Sequence, residues 1–177
     1  MELFIIFIVA ISLSMDSFSL SLAYGTLNLS EDKEKKISIM VGIFHFFMPI
    51  LGFLIGKVII NIIKINPEII AGVVFIVLGL EMIISLLKKE DLKVITGIFS
   101  MILFAFTVSI DSFSIGIGIN AISNNIILCS SVFSLVSAII TYIGLRLGKR
   151  LNLMIGYTSN IIGSIILIGL GFFYLFY

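Results

Sequence analysis

The sequence is poor in the residue types that build most soluble catalytic and metal-binding domains. Its 177 residues include one cysteine, one histidine, two prolines and no tryptophan, and only 12% are charged. The single cysteine, Cys129, excludes an internal disulfide and any site made from several thiolates. A zinc or copper site is not expected either, because those ions usually take several His or Cys ligands. The net charge is +1, and without a basic face or polar tract no nucleic acid is expected as a partner.

Apolar residues make up most of the chain. Sixty per cent of the residues are hydrophobic, and apolar runs long enough to cross a hydrocarbon core of ~30 Å recur along the whole length. The sequence therefore predicts an all-α polytopic membrane protein with the lipid bilayer as its surroundings, and a single membrane domain over residues 1–177. We place six transmembrane helices at residues 3–24, 37–60, 69–87, 94–119, 126–145 and 153–176.

The two halves of the chain repeat each other. The segment Ser-Met-Asp-Ser-Phe-Ser at 14–19 returns as Ser-Ile-Asp-Ser-Phe-Ser at 109–114, which places Asp16 and Asp111 95 positions apart. A shift of 92 aligns the second and third spans with the fifth and sixth. The first repeat then covers about residues 1–90 and the second about 94–177. Because each half has three spans, an odd number, the second half enters the membrane in the opposite direction, and the six helices form two inverted three-helix repeats.

The distribution of positive charge predicts the orientation in the cell membrane. Connections one, three and five carry nine basic residues, whereas the opposite face has two, and the more basic side is normally cytoplasmic. Both termini are therefore predicted outside. The nine are Lys33, Lys35, Lys36, Lys88, Lys89, Lys93, Arg146, Lys149 and Arg150, and the two are Lys57 and Lys64.

The two repeated aspartates are the main candidate site. An ionised carboxylate at the centre of a spanning helix costs roughly 2.5–3.5 kcal/mol on insertion scales, so two at matching positions suggest a cation, a proton or a polar partner. Oxygen ligands of this kind suit hard divalent ions such as Mg²⁺, Ca²⁺ and Mn²⁺. The alternative is a pair of protonated carboxylic acids that only help the helices pack. Hydroxyls that share a helix face with Asp16 or Asp111 are further candidate ligands, namely Ser12, Ser19, Thr107 and Ser114.

His45 is a weaker candidate for metal binding or proton transfer. It lies in the second span, and a shift of 92 pairs it with Ser137. A histidine in an apolar helix is most often satisfied by a neighbouring carbonyl, so a packing role is the alternative. Pro49 in the same span removes a backbone hydrogen bond and can expose a carbonyl oxygen.

These features together resemble the MntP-type manganese efflux pumps. The resemblance rests on the Ser-x-Asp-Ser-Phe motifs of spans one and four, the run from Gly42 to Gly56 with its Met-Pro step, and six spans of this length. It implies that Asp16 and Asp111 take part in transport, and that the fold is related to the lysine-exporter-like transporters. The second half also resembles the YtaF-type sporulation membrane proteins.

Two positions depart from the pattern that the resemblance implies. Glu81 stands where a basic residue is expected, and Asn160 stands where a carboxylate is expected. Such an exchange of charges would keep the fold while altering the ion or the coupling. The residues alone therefore support a divalent cation, and the resemblance adds manganese.

Export of a divalent cation needs an energy source. Moving a +2 ion outward against ~100 mV costs about 4.6 kcal/mol, at ~2.3 kcal/mol per charge. No connection contains a nucleotide-binding loop, so we expect no enzyme activity and no cofactor, and a secondary mechanism in which protons replace the metal on Asp16 and Asp111.

Two other functions remain open at this point. An intramembrane aspartyl protease also uses two aspartates on neighbouring helices, but its expected Gly-x-Gly-Asp context is absent around Asp111. A sporulation or assembly-related membrane protein without transport activity is the second alternative. Metal flux into vesicles separates it from a transporter.

The predicted orientation can be tested by cysteine labelling. After replacement of Cys129, cysteines at Lys35 and Lys89 should be shielded from an impermeant reagent added outside intact cells, because connections one and three are predicted to be cytoplasmic. Cysteines at Asn66 and Asn124 should react. The reverse pattern would contradict the outward placement of the termini but not the inverted repeat.

Overall fold

The computed structural model describes residues 2–27, 29–63, 66–85, 97–119, 123–148 and 154–176. Over these ranges the protein is built from α-helices, and each predicted span is occupied by helix. The helices are α1 (Glu2–Gly25), α2 (Glu31–Ile63), α3 (Pro67–Ser85), α4 (Ile98–Thr107), α5 (Ile110–Gly118), α6 (Ile126–Gly148) and α7 (Met154–Phe176).

The lengths and surfaces of the helices are those of a multi-pass membrane protein. In the described part of the chain, four helical segments are long and apolar enough to cross a bilayer: Glu2–Gly25, Glu31–Val58, Ile98–Gly118 and Ile126–Gly148. Two shorter apolar stretches, Glu68–Leu80 and Ile161–Phe176, lie in α3 and α7. Large apolar side chains such as Phe4, Phe99 and Leu135 are exposed on the outside of the bundle, where lipid is the solvent that suits them.

The fourth span differs from the continuous helix predicted over 94–119. It consists of α4 and α5, with a turn at Val108 and Ser109. Serine hydroxyls bond the backbone at this turn: Ser109 donates to the carbonyl of Ala105 at 2.6 Å, and Ser112 donates to the carbonyl of Ser109 at 2.7 Å. Such bonds compete with the helical ladder. The irregularity therefore lies directly before Asp111, whereas α1 runs without a break through Asp16.

The first connection is also more helical than predicted. The second span is predicted over 37–60, but α2 begins at Glu31, so the charged segment 31–36 is helical. The amide of Glu34 bonds the carbonyl of Ser30 at 3.0 Å. Glu31, Asp32 and Glu34 occupy the first turn, where negative charge stabilises the positive end of the helix dipole. Pro49 lies inside α2 without ending it.

Small residues bring the helices into close contact. A Cβ added at Gly52 of α2 would lie against the backbone carbonyl of Phe113 in α5. At Gly148 of α6 it would lie against the carbonyl of Leu22 in α1. Backbone cannot move aside as a flexible side chain can, so these positions need glycine. Gly169 of α7 is different, because a Cβ there would have no atom within 4 Å.

We expect Gly52→Ala to lower the stability of the folded protein. The added methyl group meets backbone, and overpacking of this kind costs typically 1–3 kcal/mol. The measurement is thermal unfolding of the purified protein in detergent, with Gly169→Ala as the matched control that adds the same group to open space. Equal melting temperatures for the two variants would contradict the close contact between α2 and α5.

Candidate functional site

The buried apolar residues form two separate clusters. Residues of the first cluster, which we call cluster one, are Ile6, Val9, Ala10, Leu13, Ala71, Phe75, Leu78, Ile115, Ile119, Cys129, Phe133, Leu167 and Tyr174. Residues of cluster two are Leu29, Ile37, Val41, Met101, Phe104, Ala105, Val108 and Leu145.

A polar layer lies between the two clusters. Spans one, two, four and five each pass from one cluster to the other, and each carries polar residues at the crossing. On α1, for example, Leu13 belongs to cluster one and Leu20 packs against cluster two. The polar layer consists of Ser14, Asp16, Ser17, His45, Ser109, Asp111, Ser112 and Ser137.

Both aspartates occupy nearly the same depth in this layer. Spans one and four run in opposite directions. The rings of Tyr24, near the end of span one, and Phe104, near the start of span four, are 5.0 Å apart at cluster two. Val9, near the start of span one, and Ile119, at the end of span four, both lie in cluster one. Moving eight residues back from Tyr24 reaches Asp16, and moving eight forward from Phe104 reaches the residue next to Asp111. At 1.5 Å per residue the two positions lie within about one residue of the same level.

The two carboxylates have different backbone surroundings. Both side chains are half-buried. Asp111 lies in the first turn of α5, where the helix dipole favours a negative charge, and its Oδ1 accepts a hydrogen bond from the amide of Ser112 at 2.7 Å. Asp16 lies in the middle of α1.

Two hydrogen bonds between helices flank the aspartates at matching positions. Ser14 and Ser137 are joined by their hydroxyls at 2.8 Å, and Ser109 is joined to Nδ1 of His45 at 2.8 Å. Ser14 and Ser109 each stand two residues before an aspartate, and Ser137 and His45 are related by the 92-residue shift. The same contact therefore occurs in both halves, once between two serines and once between a serine and the histidine.

The hydrogen bonds of His45 fix its tautomer. Ser109 has one hydroxyl proton, and the carbonyl of Ala105 accepts it at 2.6 Å, so the hydroxyl can only accept from His45. The carbonyl of Val41, 3.0 Å from Nδ1, also only accepts. Nδ1 therefore carries the proton, and Nε2 presents a lone pair. The side chain of His45 is fully buried and Nε2 has no hydrogen-bond partner among the described residues.

The structure separates the four candidate hydroxyls into two groups. Ser12 donates to the carbonyl of Ile8 and Thr107 to that of Leu103, each at 2.8 Å, and Thr107 is exposed. Their hydroxyl protons are thus engaged within their own helices. Ser19 and Ser114 are half-buried.

The described residues do not assemble a complete set of metal ligands in this conformation. Among the described residues, no group of three or more such side chains is placed to hold a metal ion. The backbone of Glu81 lies in α3 and that of Asn160 in α7, but their side chains fall outside the described part of the chain.

The sequence analysis did not anticipate the side-chain partners of Ser14 and Ser109. The signal was present in the repeat, because the shifts of 95 and 92 pair Ser14 with Ser109 and Ser137 with His45. It was missed because helical periodicity places residues on a face and does not identify the neighbouring helix.

The tautomer of His45 can be measured directly. His45 is the only histidine, so protein labelled with ¹⁵N-histidine and reconstituted in lipid gives one pair of ring resonances. We expect the nitrogen shifts and couplings of an Nδ1–H imidazole, and a change in them in Ser109→Ala but not in Ser14→Ala, the equivalent serine of the other half. A neutral ring protonated at Nε2 would contradict the hydrogen-bond assignment.

The chain is similar in sequence to known proteins over nearly its whole length. A family model described as "Putative manganese efflux pump" matches residues 28–175. A relative from Bacillus pumilus, named "Putative manganese efflux pump MntP", is 36% identical over 176 residues, which are 99% of this chain and 96% of that protein. Relatives of the same name from Bacillus velezensis and Bacillus cereus are each 33% identical and cover 96% and 99% of the chain, and 92% and 97% of their own lengths. No solved structure matches the chain. The chain therefore belongs to the MntP family.

Proposed function

We propose that this protein exports a divalent cation, manganese(II), across the cell membrane. Its family membership supports manganese as the cargo, because the relatives are named as manganese efflux pumps. The observation that carries the proposal is the pair of carboxylates, Asp16 and Asp111, at one depth in a polar layer between two apolar clusters. Two negative charges in that setting match the +2 charge of the ion.

We further propose six spans arranged as two inverted repeats. The helix packing supports this arrangement. Helix α1 packs against α6 and α7, and the α4–α5 span packs in the same way against α2 and α3. The helices α2 and α6 also pack against each other, as do α3 and α7, and in both pairs the two helices are equivalents of each other in the repeat. Each packed pair thus has a counterpart when the halves are exchanged.

Individual contacts support the same relation. Gly52 lies against Phe113, and the equivalent Gly144 lies against Phe18, where an added Cβ would be 3.0 Å from the carbonyl oxygen. Gly42 of α2 meets the carbonyl of Ser134 in α6, 3.2 Å from an added Cβ, and the shift of 92 relates these two residues to each other. The axis of the repeat therefore passes between α2 and α6, near His45.

The proposed ion site uses oxygen ligands from Asp16 and Asp111, and His45 is a further candidate. Nε2 of His45 offers an unprotonated nitrogen in the same layer. A nitrogen ligand favours transition-metal ions over Mg²⁺ and Ca²⁺, which prefer oxygen. Because the described conformation does not bring three such ligands together, binding through His45 requires the helices to move closer during transport.

We propose proton exchange as the energy source. A bound cation and a bound proton compete for the same carboxylate oxygens. Protons entering from outside would displace the ion, and loss of those protons to the cytoplasm would regenerate the site. The proposed orientation has both termini outside, which is supported by the excess of basic residues in connections one, three and five.

We expect Asp16→Asn and Asp111→Asn each to abolish manganese export while the protein still inserts and folds. Each change removes half of the compensating charge, yet it also removes an ionised group from the membrane and so should ease insertion. The measurement is export of manganese from loaded cells that lack other manganese exporters. Glu68→Gln, which neutralises an exposed carboxylate of α3, is the control and should export normally. Near-normal export by either aspartate variant would contradict the proposed two-carboxylate site.

We also expect manganese affinity to fall as the pH is lowered, because the protonated carboxylates cannot bind the ion. Replacement of the candidate hydroxyls by alanine should weaken binding without removing this dependence, since hydroxyls do not titrate here. The loss should be smallest for Thr107, whose side chain is exposed and not buried in the bundle.

His45→Ala tests the identity of the proton carrier, because histidine also titrates near neutral pH. The measurement is equilibrium binding of manganese to purified protein over a range of pH. If the pH dependence disappears in His45→Ala and persists when either aspartate is neutralised, the histidine carries the proton and the proposed exchange at the aspartates is wrong.

A further inference from the structure

A second charged group lies away from the aspartates, where α2 begins and α6 ends. The Nη2 of Arg146 is 2.8 Å from Oε1 of Glu31, and its Nε is 3.7 Å from Oε2 of Glu34. The guanidinium of Arg146 also lies over the ring of Tyr142, 5.2 Å from its centroid. One arginine at the end of span five thus forms ion pairs with two glutamates at the start of span two.

The burial of these charges is unequal. The side chain of Glu34 is 0% exposed, whereas those of Glu31 and Arg146 are 65% and 48% exposed. A buried carboxylate loses its hydration, so a nearby cation is needed to stabilise its charged form. Moving α6 away from α2 would take the guanidinium of Arg146 away from a carboxylate that water does not reach. The link therefore resists separation of the two helices at this end.

The positions that the repeat makes equivalent to Glu34 and Arg146 carry no charge. The first connection is three residues longer than its counterpart, and in the structure the added residues extend the start of α2. The equivalent of Glu34 is Ile126, the first residue of α6, and the equivalent of Arg146 is Leu54. The inverted repeat therefore predicts similar helix packing at both ends of the bundle but this ion pair only where α2 begins and α6 ends.

The helices pack closely at this end of the bundle. The ends of α1 and α6 are in contact, and an added Cβ on Gly25 would be 2.9 Å from the Cα of Gly148. Leu29, Ile37 and Leu145 of cluster two fill the space between the helix ends. A path from this end to the polar layer requires α6 to move away from α1 and α2.

We propose that Glu31, Glu34 and Arg146 form the cytoplasmic gate of the transporter. The gate holds the inner end closed while the polar layer communicates with the outside, and it opens when α6 and α2 separate to admit the cation. This role rests on the proposed function and on the cytoplasmic position of connections one and five. Its test does not use manganese, so a negative result for the gate would not count against the proposed export of manganese.

The test measures access to the space beneath the gate. Ser21 is buried on α1, between Asp16 and the end of the helix. Its Cβ is 2.8 Å from the position that a Cβ at Gly144 of α6 would take. A Ser21→Cys reporter in a Cys129→Ser background has a single thiol, because Cys129 is the only cysteine. Inside-out membrane vesicles expose the cytoplasmic face to a charged, impermeant thiol reagent, and the labelling rate of the reporter is measured with and without gate substitutions.

We expect Arg146→Gln to raise the labelling rate about three- to fivefold, the shift in population that loss of one ion pair of this exposure can produce. Glu31→Gln removes only the exposed carboxylate and should raise the rate in the same direction without disturbing Glu34. The matched control is Lys57→Gln, which removes a positive charge that lies over the Phe53 ring at the other end of α2. It should leave the rate unchanged.

The outcomes separate clearly. If Arg146→Gln fails to accumulate in the membrane, Glu31→Gln decides. An unchanged labelling rate in Glu31→Gln, an equal increase in Lys57→Gln, or an increase seen only when the reagent is added to right-side-out vesicles would each overturn the cytoplasmic gate.

Discussion

The cost of holding charge inside a membrane is the constraint on which the rest of the structure depends. Asp16 and Asp111 each carry a penalty of roughly 2.5–3.5 kcal/mol at the centre of a spanning helix if they are ionised. The fold gathers polar residues from four spans into one layer and places apolar clusters on both sides of it. Two carboxylates in this position would lower their own cost by binding a cation, and protons would do the same when the cation is absent.

The close packing of the helices follows from the same need. Lipid supplies no hydrophobic force between helices, so small residues and hydrogen bonds hold the bundle together. Gly52 and Gly148 allow contact with the backbone of neighbouring helices. The bonds of Ser14 with Ser137 and of Ser109 with His45 then fix the two aspartate-bearing segments to spans five and two. In the proposed inverted repeat, matching contacts from both halves would let the site open to either side when the halves exchange conformations.

The two halves differ at three places. One half uses a histidine where the other uses a serine, and its aspartate follows a break in the helix. Arg146 lies close to Glu31, one of the extra residues at the start of α2, and to Glu34, whereas the positions equivalent to Glu34 and Arg146 are Ile126 and Leu54. In the proposed antiport the proton and ion gradients set the direction of net transport, and these differences would make the two sides of the protein open unequally.

The sequence was sufficient to predict the helices and the repeated aspartates. Long apolar runs have few alternative structures in a bilayer, and a charge repeated in two such runs is visible without coordinates. The turn at Val108 and Ser109 was not predictable in this way, because a serine hydroxyl can bond its own helix without ending it. The partners of Ser14, His45 and Arg146 were also missed, since they depend on which helices are neighbours. The family resemblance was confirmed by the comparisons, while the roles of the aspartates and of the proton remain proposals.

The most direct test of the central claim is manganese flux through the purified protein in liposomes that contain a manganese-sensitive dye. With the interior more acidic than the exterior, outward movement of protons should drive manganese inward beyond its equilibrium level, and the double variant Asp16→Asn/Asp111→Asn should give the signal of protein-free liposomes. Manganese entry at the protein-free rate in liposomes that contain the folded wild-type protein would contradict the transporter. Equal flux through the wild-type protein and the double variant would contradict the two-aspartate site.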